Sequence, residues 1–322
     1  MTDPAMSSTQ RRASPRRAFV RIGTGSLAVM ALSAAVLVAA GAAGKSGPAV
    51  ALSDVVEIHS AHGASFVPAL EGKRPLFILA LGSDARPGQN IERERADSIH
   101  LIGVDLEHDR ATILGFPRDS WVSIPGHGTT KINTAMVLGG PNLMVRTVES
   151  ITGIRVDFWM LTSFNGLIRM VNGIGGLSVN VPRRMHDKFS GANFSKGRHT
   201  FKGRAALAFA RDRHDVPGGD LGRSANQGRL LVAALSKLAD VFGRNPGNLL
   251  KWISIGWRNI RTDLGVPTLL RLGLTATRID PSKVTNLVVP ATTGSVGAVS
   301  VVFISARARS IYADLRADGY AS

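Results

Sequence analysis

Three consecutive apolar runs between residues 76 and 116 constrain the fold more than any other feature of this sequence. The runs cover residues 76–81, 99–104 and 112–116, and turn residues bound each of them. Continuous apolar runs of this kind are typical of strands that are buried on both faces of a sheet. The stretch therefore predicts strands in the centre of an α/β domain.

Acidic and basic side chains stand at the ends of these expected strands. They are Asp84 and Arg86 after the first run, Arg95 and Asp97 before the second, and Arg118 and Asp119 after the third. Strand ends are where α/β folds usually bind ligands. Two carboxylates can hold a hard divalent cation, and nearby arginines can bind phosphate oxygens. Any one pair could be a surface ion pair, but three such pairs together favour a site.

The N-terminal segment carries a membrane-targeting pattern. Residues 1–21 hold five arginines and one acidic residue, and residues 22–44 contain no charged side chain. A span of about 20 apolar residues crosses a bilayer as a helix, and arginines before it predict that the N-terminus stays inside the cell. We therefore expect a basic cytoplasmic tail (1–21), a transmembrane signal anchor (22–44), a linker (45–72) and an extracytoplasmic catalytic domain (73–322). A cleaved signal peptide is the alternative, because residues 39–44 are small.

The formal net charge of +16 narrows the classes of partner. Such a charge favours polyanionic surroundings such as nucleic acid, anionic lipid or a phosphate-rich polymer. The expected extracytoplasmic position argues against nucleic acid, and no helix-turn-helix pattern with a basic recognition helix is present. The sequence contains no cysteine, which excludes disulfides, thiol catalysis and cysteine-bound zinc.

A second group of charged residues lies beyond the middle of the chain. The short apolar segment 205–210 leads directly into Arg211-Asp212-Arg213. If these three residues are extended, Arg211 and Arg213 point to the same side. Two adjacent guanidinium groups repel each other, so an anion between them is the natural resolution.

The helix expected after Gly219 adds further polar residues. Asp220 is expected to cap this helix, and Arg223 and Gln227 fall on one face of it. That face continues into apolar residues, so the polar turns point toward the interior. An internal salt bridge between Arg223 and Asp220 and an anion held by Arg223 at the helix N-terminus both fit this spacing.

The rest of the chain predicts a mixture of helices, strands and loops. The run Gly139-Gly140-Pro141 is expected to start a helix that ends at Gly153. Residues 186–199 and 291–297 are expected to be surface loops, because they are polar or composed of small residues. Later helices are expected at 249–257, 267–278 and 305–317, with an edge strand at 284–290.

Seven motifs occur in a fixed order between residues 74 and 239. They are Gly82-Ser83-Asp84-Ala85-Arg86, Arg95-Ala96-Asp97-Ser98, Phe116-Pro117-Arg118-Asp119-Ser120, Lys131-Ile132-Asn133, Gly139-Gly140, Ala206-Leu207-Ala208-Phe209-Ala210-Arg211-Asp212-Arg213 and Gly219-Asp220-Leu221-Gly222-Arg223. In this order they resemble the LytR-CpsA-Psr family of bacterial cell-wall assembly proteins. The basic tail, single anchor and external domain resemble that family's layout.

The resemblance implies an α/β/α sandwich around a mixed β-sheet, with an apolar cavity for a polyprenyl chain. It implies a phosphotransferase that moves a glycopolymer from a polyprenyl-pyrophosphate carrier to peptidoglycan and leaves a phosphodiester link. The implied cofactor is Mg²⁺ or Mn²⁺. Two other functions remain open: a non-catalytic binder of polyprenyl-phosphate lipid or anionic wall polymer, and a pyrophosphatase acting on the lipid-linked glycan.

The resemblance also assigns residues by motif. Asp84 and Asp97 would hold the metal. The pyrophosphate would be bound by Arg86, Arg118, Lys131, Asn133, Arg211, Arg213, Arg223 and Gln227. Catalysis would involve Arg118, Asp119, Arg95 and Asp97, with Asp119 or Asp97 accepting the proton of a sugar hydroxyl. Asn226 stands where the family usually has an arginine, and Arg229 is the expected replacement.

Overall fold

The computed structural model describes residues 68–72 and 74–322. The predicted basic tail, the predicted anchor and most of the predicted linker lie outside the described residues. Within the described ranges, no helix is both long and apolar enough to cross a bilayer.

The strands follow one another along the chain as short segments separated by turns and helices. In chain order they are β1 (Leu76–Ser83), β2 (Ala96–Asp105), β3 (Arg110–Gly115), β4 (Trp121–Ile124), β5 (Gly128–Lys131), β6 (Phe158–Ser163), β7 (Leu177–Val181), β8 (Met185–Asp187), β9 (Ala192–Phe194), β10 (Gly197–Phe201), β11 (Ile260–Thr262), β12 (Val284–Val288), β13 (Ala291–Val296) and β14 (Val299–Ile304).

The helices connect these strands and pack against them. In chain order they are α1 (Thr134–Thr152), α2 (Phe164–Gly173), α3 (Gly203–Arg211), α4 (Asp220–Arg244), α5 (Asn248–Trp257), α6 (Val266–Ala276) and α7 (Ala308–Asp318), and short 3-10 segments lie at Pro68–Glu71 and Pro281–Lys283.

A six-stranded mixed sheet in the order β11-β6-β1-β2-β3-β12 forms the centre of the domain. Strand β1 pairs antiparallel with β2 and parallel with β6, and β12 runs parallel to β3 at the edge. Four two-stranded pairs, β4–β5, β7–β10, β8–β9 and β13–β14, surround this sheet. The prediction of a mixed α/β fold around a central mixed sheet is confirmed.

Apolar side chains on both faces of the sheet explain why the strand sequences are continuously apolar. On one face, Phe77 and Leu79 of β1 belong to a cluster with residues of α1 and α7. On the other face, Leu76 and Ile78 belong to a cluster with residues of α5 and α6. Successive side chains of a strand point to opposite faces, so β1 has to be apolar at nearly every position.

The predicted helix start at Gly139-Gly140-Pro141 is confirmed in part, because Pro141 opens the second of two helical segments that a kink at Gly140 joins into α1. Helix α1 begins at Thr134, and Gly140 inside it adopts non-helical angles (φ 66°, ψ −162°) immediately before Pro141. A positive φ costs glycine little, and proline removes one helical hydrogen bond, so both residues suit a kink. The predicted end is confirmed, because Gly153 follows the helix in the left-handed conformation.

Both predicted surface loops contain strands. Strands β8, β9 and the first part of β10 lie within residues 186–199, and β13 covers most of residues 291–297. The residues of β8 do alternate between buried and exposed. One of the two buried residues is the acidic Asp187, so the sequence shows no alternation of apolar and polar side chains there. Strand β13 is partly exposed along its whole length and is defined by its pairing with β14.

Candidate functional site

The antiparallel pairing of the first three strands brings the predicted site segments together. The end of β1 lies beside the start of β2, where Ser83 pairs with Ala96. The start of β2 in turn runs beside the end of β3, where His100 pairs with Gly115. The motifs that follow β1, precede β2 and follow β3 therefore meet at one edge of the sheet.

A polar cavity of about 290 Å³ opens at this edge. Five predicted site residues line it, namely Asp97, Arg118, Arg211, Arg213 and Arg223. Two are contributed by the sheet edge, two by the end of α3 and the residues after it, and one by α4. Four guanidinium groups in one small cavity favour a polyanionic ligand.

Two of the cavity arginines are held in ion pairs. Arg118 donates to Asp97 through a short bond from Nη1 to Oδ1. Arg223 pairs with Asp220 at 2.7 Å between Nη2 and Oδ1, and both side chains are nearly buried. The carboxylate of Asp220 therefore binds Arg223, and the helix N-cap is Gly219 without a side-chain cap. The prediction that Asp220 caps the helix is wrong, and its alternative as a salt-bridge partner is confirmed.

Burial and neighbouring charge act differently on these two guanidinium groups. Burial alone would lower the pKa of Arg118, but the charge of Asp97 and its hydrogen bond outweigh burial and raise that pKa. Burial lowers the pKa of Arg223, and the like charge of Arg118 adds to this although Asp220 opposes it. The positive charge of Arg223 is therefore under-compensated, which favours a bound anion.

The other two cavity arginines are exposed and lack a carboxylate partner among the described residues. Arg211 is the last residue of α3 and lies over the ring of Phe164, with 5.2 Å from Cζ to the ring centroid. Asp212 between the two arginines is extended and fully buried, and its Oδ1 accepts the backbone N–H groups of His214 and Asp215. Arg211 and Arg213 both line the polar cavity as expected, but Arg211 is helical, so the strand-like alternation assumed for residues 211–213 is not the reason.

The carboxylate of Asp84 has the environment of a cation ligand. Among the described residues it accepts no hydrogen bond and forms no ion pair. Burial raises its pKa first, and the negative charges of Asp97 and Glu94 raise it further. Asp97 differs from Asp84, because its Oδ1 already accepts from Arg118. A cation between the two carboxylates would relieve the repulsion that raises the pKa of Asp84. Asp84 and Asp97 therefore fit a divalent cation.

Asp84 and Asp97 would be the only protein ligands of that cation that the geometry suggests. No cluster of three or more histidine, cysteine or acidic side chains able to hold a metal is found in residues 68–72 and 74–322. Mg²⁺ is usually bound by one or two carboxylates, and phosphate oxygens of the substrate and water complete its coordination. The donor set thus suits Mg²⁺ delivered with a phosphate-bearing ligand.

An apolar cavity of about 340 Å³ meets the polar cavity. Asp97, Arg211 and Arg223 line both of them. A second apolar cavity of about 390 Å³ continues the first beneath α4 and α5, and the two share lining residues that include Met160 and Trp252. Together these cavities form an apolar channel that ends at the cluster of charged side chains.

Gln227 connects two backbone segments next to the place where the polar cavity meets the apolar cavity. Its Nε2 donates to the carbonyl oxygens of Asp97 at 3.0 Å and of Ala210 at 3.2 Å. It therefore ties the start of β2 to the end of α3 and lines the apolar cavity. Both amide hydrogens are engaged in these backbone contacts.

Five other predicted site residues lie near this edge without lining the polar cavity or the apolar channel. Lys131 pairs with Asp119 at 3.2 Å, and the buried Asn133 donates its backbone N–H to the carbonyl oxygen of Arg118. Arg86 and Arg95 are exposed on the loop between β1 and β2. The structure therefore does not place these five residues in contact with the polar cavity.

The structure does not support the expectation that Arg229 takes the place of the arginine that the family usually has at position 226. Arg229 donates to Asn226 Oδ1 at 2.9 Å, and both line a separate cavity with Arg183 and Pro217. Asn226 is buried and points away from the polar cavity, so Arg229 has no route into it.

Sequence reasoning missed four residues that line the polar cavity. Asp187, Phe189 and Ser190 belong to the β8–β9 hairpin, which was expected to be a plain loop. His214, immediately after Arg213, also lines the cavity. The position of His214 beside two predicted site arginines was the available signal.

Comparison of the sequence with known protein families identifies the family of this chain. The model of the LytR_cpsA_psr family matches residues 45–314. The chain therefore belongs to the LytR-CpsA-Psr family.

Individual relatives carry transferase names. The chain is 28% identical over 206 residues to the polyisoprenyl-teichoic acid–peptidoglycan teichoic acid transferase TagU of Enterococcus faecalis, covering 64% of this chain and 67% of that protein. It is 32% identical over 207 residues to TagU of Oceanobacillus iheyensis, covering 62% of each. The chain thus spans about two thirds of the length of these relatives.

A solved structure with a bound ligand shares the fold. It is TagT bound to LI-WTA, with a TM-score of 0.65 and 26% identity, and the similarity covers 80% of this chain and 95% of that chain. The sequence and structural similarities therefore point to the same family.

Proposed function

We propose that this protein transfers a glycopolymer from a polyprenyl-pyrophosphate carrier to peptidoglycan and leaves a phosphodiester link. The observation that carries the proposal is the junction between the apolar channel and the polar cavity, which share Asp97, Arg211 and Arg223. A ligand that fills both must be an amphiphile with an apolar chain and a compact polyanionic head. A polyprenyl pyrophosphate has this chemistry.

The names of relatives support the direction of transfer. The TagU proteins are named as transferases that act between a polyisoprenyl-linked teichoic acid and peptidoglycan. TagT has been solved bound to LI-WTA. We carry the substrate class over to this chain as part of the proposal.

The proposed reaction is an in-line displacement at phosphorus. An acceptor hydroxyl oxygen attacks the phosphorus that bears the glycopolymer and forms a new P–O bond. The bond from that phosphorus to the bridging oxygen breaks, and polyprenyl phosphate leaves with the electron pair. Such a reaction depends mainly on positioning and on neutralising the charge of the phosphates.

The cavity residues suit these two tasks. Arg118 and Arg223 are fixed by their acidic partners, so they can hold the phosphates without reorganising. Arg211 and Arg213 are exposed and can close on the anion from outside. Asp84 and Asp97 would hold Mg²⁺, which when bound would neutralise charge on the departing phosphate.

The test uses the full chain in detergent with a polyprenyl-pyrophosphate-linked glycan and peptidoglycan, with Mg²⁺ or with a chelator. We expect a covalent glycan–peptidoglycan product only when the metal is present. Release of phosphate without covalent product would replace the proposal with pyrophosphatase activity. Saturable binding without any turnover would replace it with a non-catalytic binder.

We also propose that residues 22–44 anchor the domain on the outer face of the cell membrane. The support is chemical, because a carrier with a polyprenyl chain is delivered from a bilayer. Externally added protease should degrade the domain in intact protoplasts. Protection of the domain until the membrane is lysed would contradict this orientation.

A further inference from the structure

We propose that His214, oriented by Asp187, is the general base that removes the proton from the acceptor hydroxyl. This inference rests on the transfer reaction proposed above and assigns a role that the carboxylates of the site had been expected to fill. It is carried by the geometry of the hairpin β8–β9 against the polar cavity.

The pairing of the two side chains fixes the tautomer of the imidazole. His214 Nδ1 lies 3.1 Å from Asp187 Oδ1, and only 1% of the Asp187 side chain is exposed. Burial acts to raise the pKa of Asp187, but hydrogen bonds from His214, from the Phe189 N–H and from Ser190 hold it at about 2. An ionised carboxylate can only accept a hydrogen bond, so Nδ1 carries the proton and Nε2 keeps a lone pair.

Two contacts orient the ring from different sides. The Phe189 ring packs on the imidazole with 4.7 Å between centroids, while Asp187 fixes Nδ1. The His214 side chain is 42% exposed and lines the polar cavity. A large acceptor arriving from solvent can therefore reach it. The combination of an oriented imidazole and a buried carboxylate is the arrangement that activates hydroxyl groups in several hydrolases.

Two carboxylates at the same edge, those of Asp97 and Asp119, are already bonded to cationic side chains. Asp97 is bonded to Arg118, and Asp119 is paired with Lys131. Neither Asp119 nor Asp84 is among the residues that line the polar cavity. A carboxylate oxygen that already accepts from a cationic donor is less available to accept the proton of a hydroxyl group. Among the described residues that line the polar cavity, His214 is the exposed base whose hydrogen-bond partner is a carboxylate.

The charged groups around the imidazole come from every neighbouring element. They are Asp187 from the hairpin, Arg211, Asp212, Arg213 and Asp215 from the segment at and after the end of α3, Arg223 from α4, and Asp97 and Arg118 from the sheet edge. The ring therefore lies among four guanidinium groups and four carboxylates.

The proton follows a balanced route. As the acceptor oxygen forms its bond to phosphorus, its proton moves to His214 Nε2. The imidazolium that forms is stabilised through Nδ1–H by the carboxylate of Asp187. Polyprenyl phosphate leaves with the electron pair of the broken P–O bond, and His214 then releases the proton to solvent.

The test compares His214→Gln with the parent chain in the transfer assay described above. We expect kcat to fall by about 10² to 10⁴-fold, the usual contribution of a general base. The acidic limb of the pH profile of kcat should disappear in this variant. His186→Gln is the matched control, because His186 lies exposed on the same hairpin and does not line the cavity. It should keep the parental kcat and pH profile.

Two further variants separate proton transfer from folding. His214→Ala should regain activity when imidazole is added, which a structural role would not produce. Asp187→Asn should lower kcat by about 10²-fold or more, because the amide can donate to Nδ1 and favour the wrong tautomer. The binding of the lipid-linked substrate should stay within a few-fold of the parent in both.

The outcomes distinguish this inference from the function on which it rests. If the parent chain forms no covalent product, both the proposed transfer function and the role of His214 that rests on it are refuted. If the parent is active and His214→Gln keeps the parental kcat and acidic limb, the role of His214 is overturned while the transfer function stands. Absence of imidazole rescue together with lost substrate binding would assign His214 to substrate binding and also overturn the inference.

Discussion

His100 makes the stability of this fold sensitive to mild acid. The residue is fully buried on β2, the strand that carries Asp97. Its Nε2 lies 3.1 Å from the carbonyl oxygen of Ser224 on α4, and its Nδ1 lies 3.1 Å from Ser98 Oγ. A neutral imidazole with its proton on Nε2 donates to the carbonyl and accepts from the hydroxyl, so both contacts are satisfied. Burial lowers the pKa of His100 to about 4, although the bond to Ser224 opposes the shift.

The sign of the effect follows from this depressed pKa. In the unfolded chain the imidazole binds a proton near pH 6.5, whereas in the folded chain it does so only near pH 4. The contribution of neutral His100 to stability is therefore complete above pH 6.5 and is lost as the pH falls toward 4. Lowering the pKa from 6.5 to about 4 corresponds to about 3 kcal/mol of unfolding free energy.

The assay is urea denaturation of the parent and of His100→Gln at several pH values between about 7.5 and about 4.5. The variant cannot titrate, and its amide can still donate to Ser224. We expect it to be less stable than the parent at the upper end of this range. That difference should shrink by roughly 2–3 kcal/mol at the lower end. Parallel stability curves for the two proteins would refute the reasoning, because they would mean that His100 has the same pKa in both states.

The remaining predictions concern the site, the packing and the channel. Arg118→Ala should reduce transfer by at least about 10²-fold while far-UV circular dichroism stays parental, and an active variant would contradict the role of this arginine. Gly228→Ala should destabilise α4 by about 1–3 kcal/mol in denaturation, because the new methyl group meets the side chain of Asn286, which is fixed by its bond to the α4 backbone. Gly243→Ala, on the same helix with open space around it, should be neutral or stabilise by up to about 1 kcal/mol. Gly256→Phe should fill the apolar channel and raise KM for a long-chain polyprenyl substrate but not for a short-chain analogue, and an equal effect on both would argue against the channel as the lipid site.

The parts of the fold that sequence predicted well are those whose physics is local. The strands around residues 76–116 are apolar at almost every position because both faces of the sheet are covered. Helix α2 and the last three helices likewise follow from periodicity and turn residues. The hairpin β8–β9 could not be predicted in the same way, because its short strands are defined by tertiary pairing and one of them buries Asp187.

The residues of the candidate site also divide into those that the sequence predicted and those that only the structure reveals. The arginines that line the cavity were predicted because their motifs adjoin strand and helix ends, which the antiparallel sheet brings to one edge. The contact between Asp187 and His214 joins a hairpin to the segment after α3 and has no characteristic spacing in the sequence. The role of Gln227 as a backbone clamp also depended on knowing which carbonyl groups approach it.

The charges of the polar cavity explain why the site needs two kinds of arginine. Arg118 and Arg223 are fixed by Asp97 and Asp220, so they are well positioned and keep only the part of their charge that these acids leave uncompensated. Arg211 and Arg213 have no such partners among the described residues and remain exposed, so they can attract the anion but are less rigidly placed. Attraction and rigid placement conflict in a single side chain, because the acid that fixes an arginine also cancels its charge. A site that divides these tasks between an inner and an outer pair can both capture a diphosphate and hold it in the geometry that displacement at phosphorus requires.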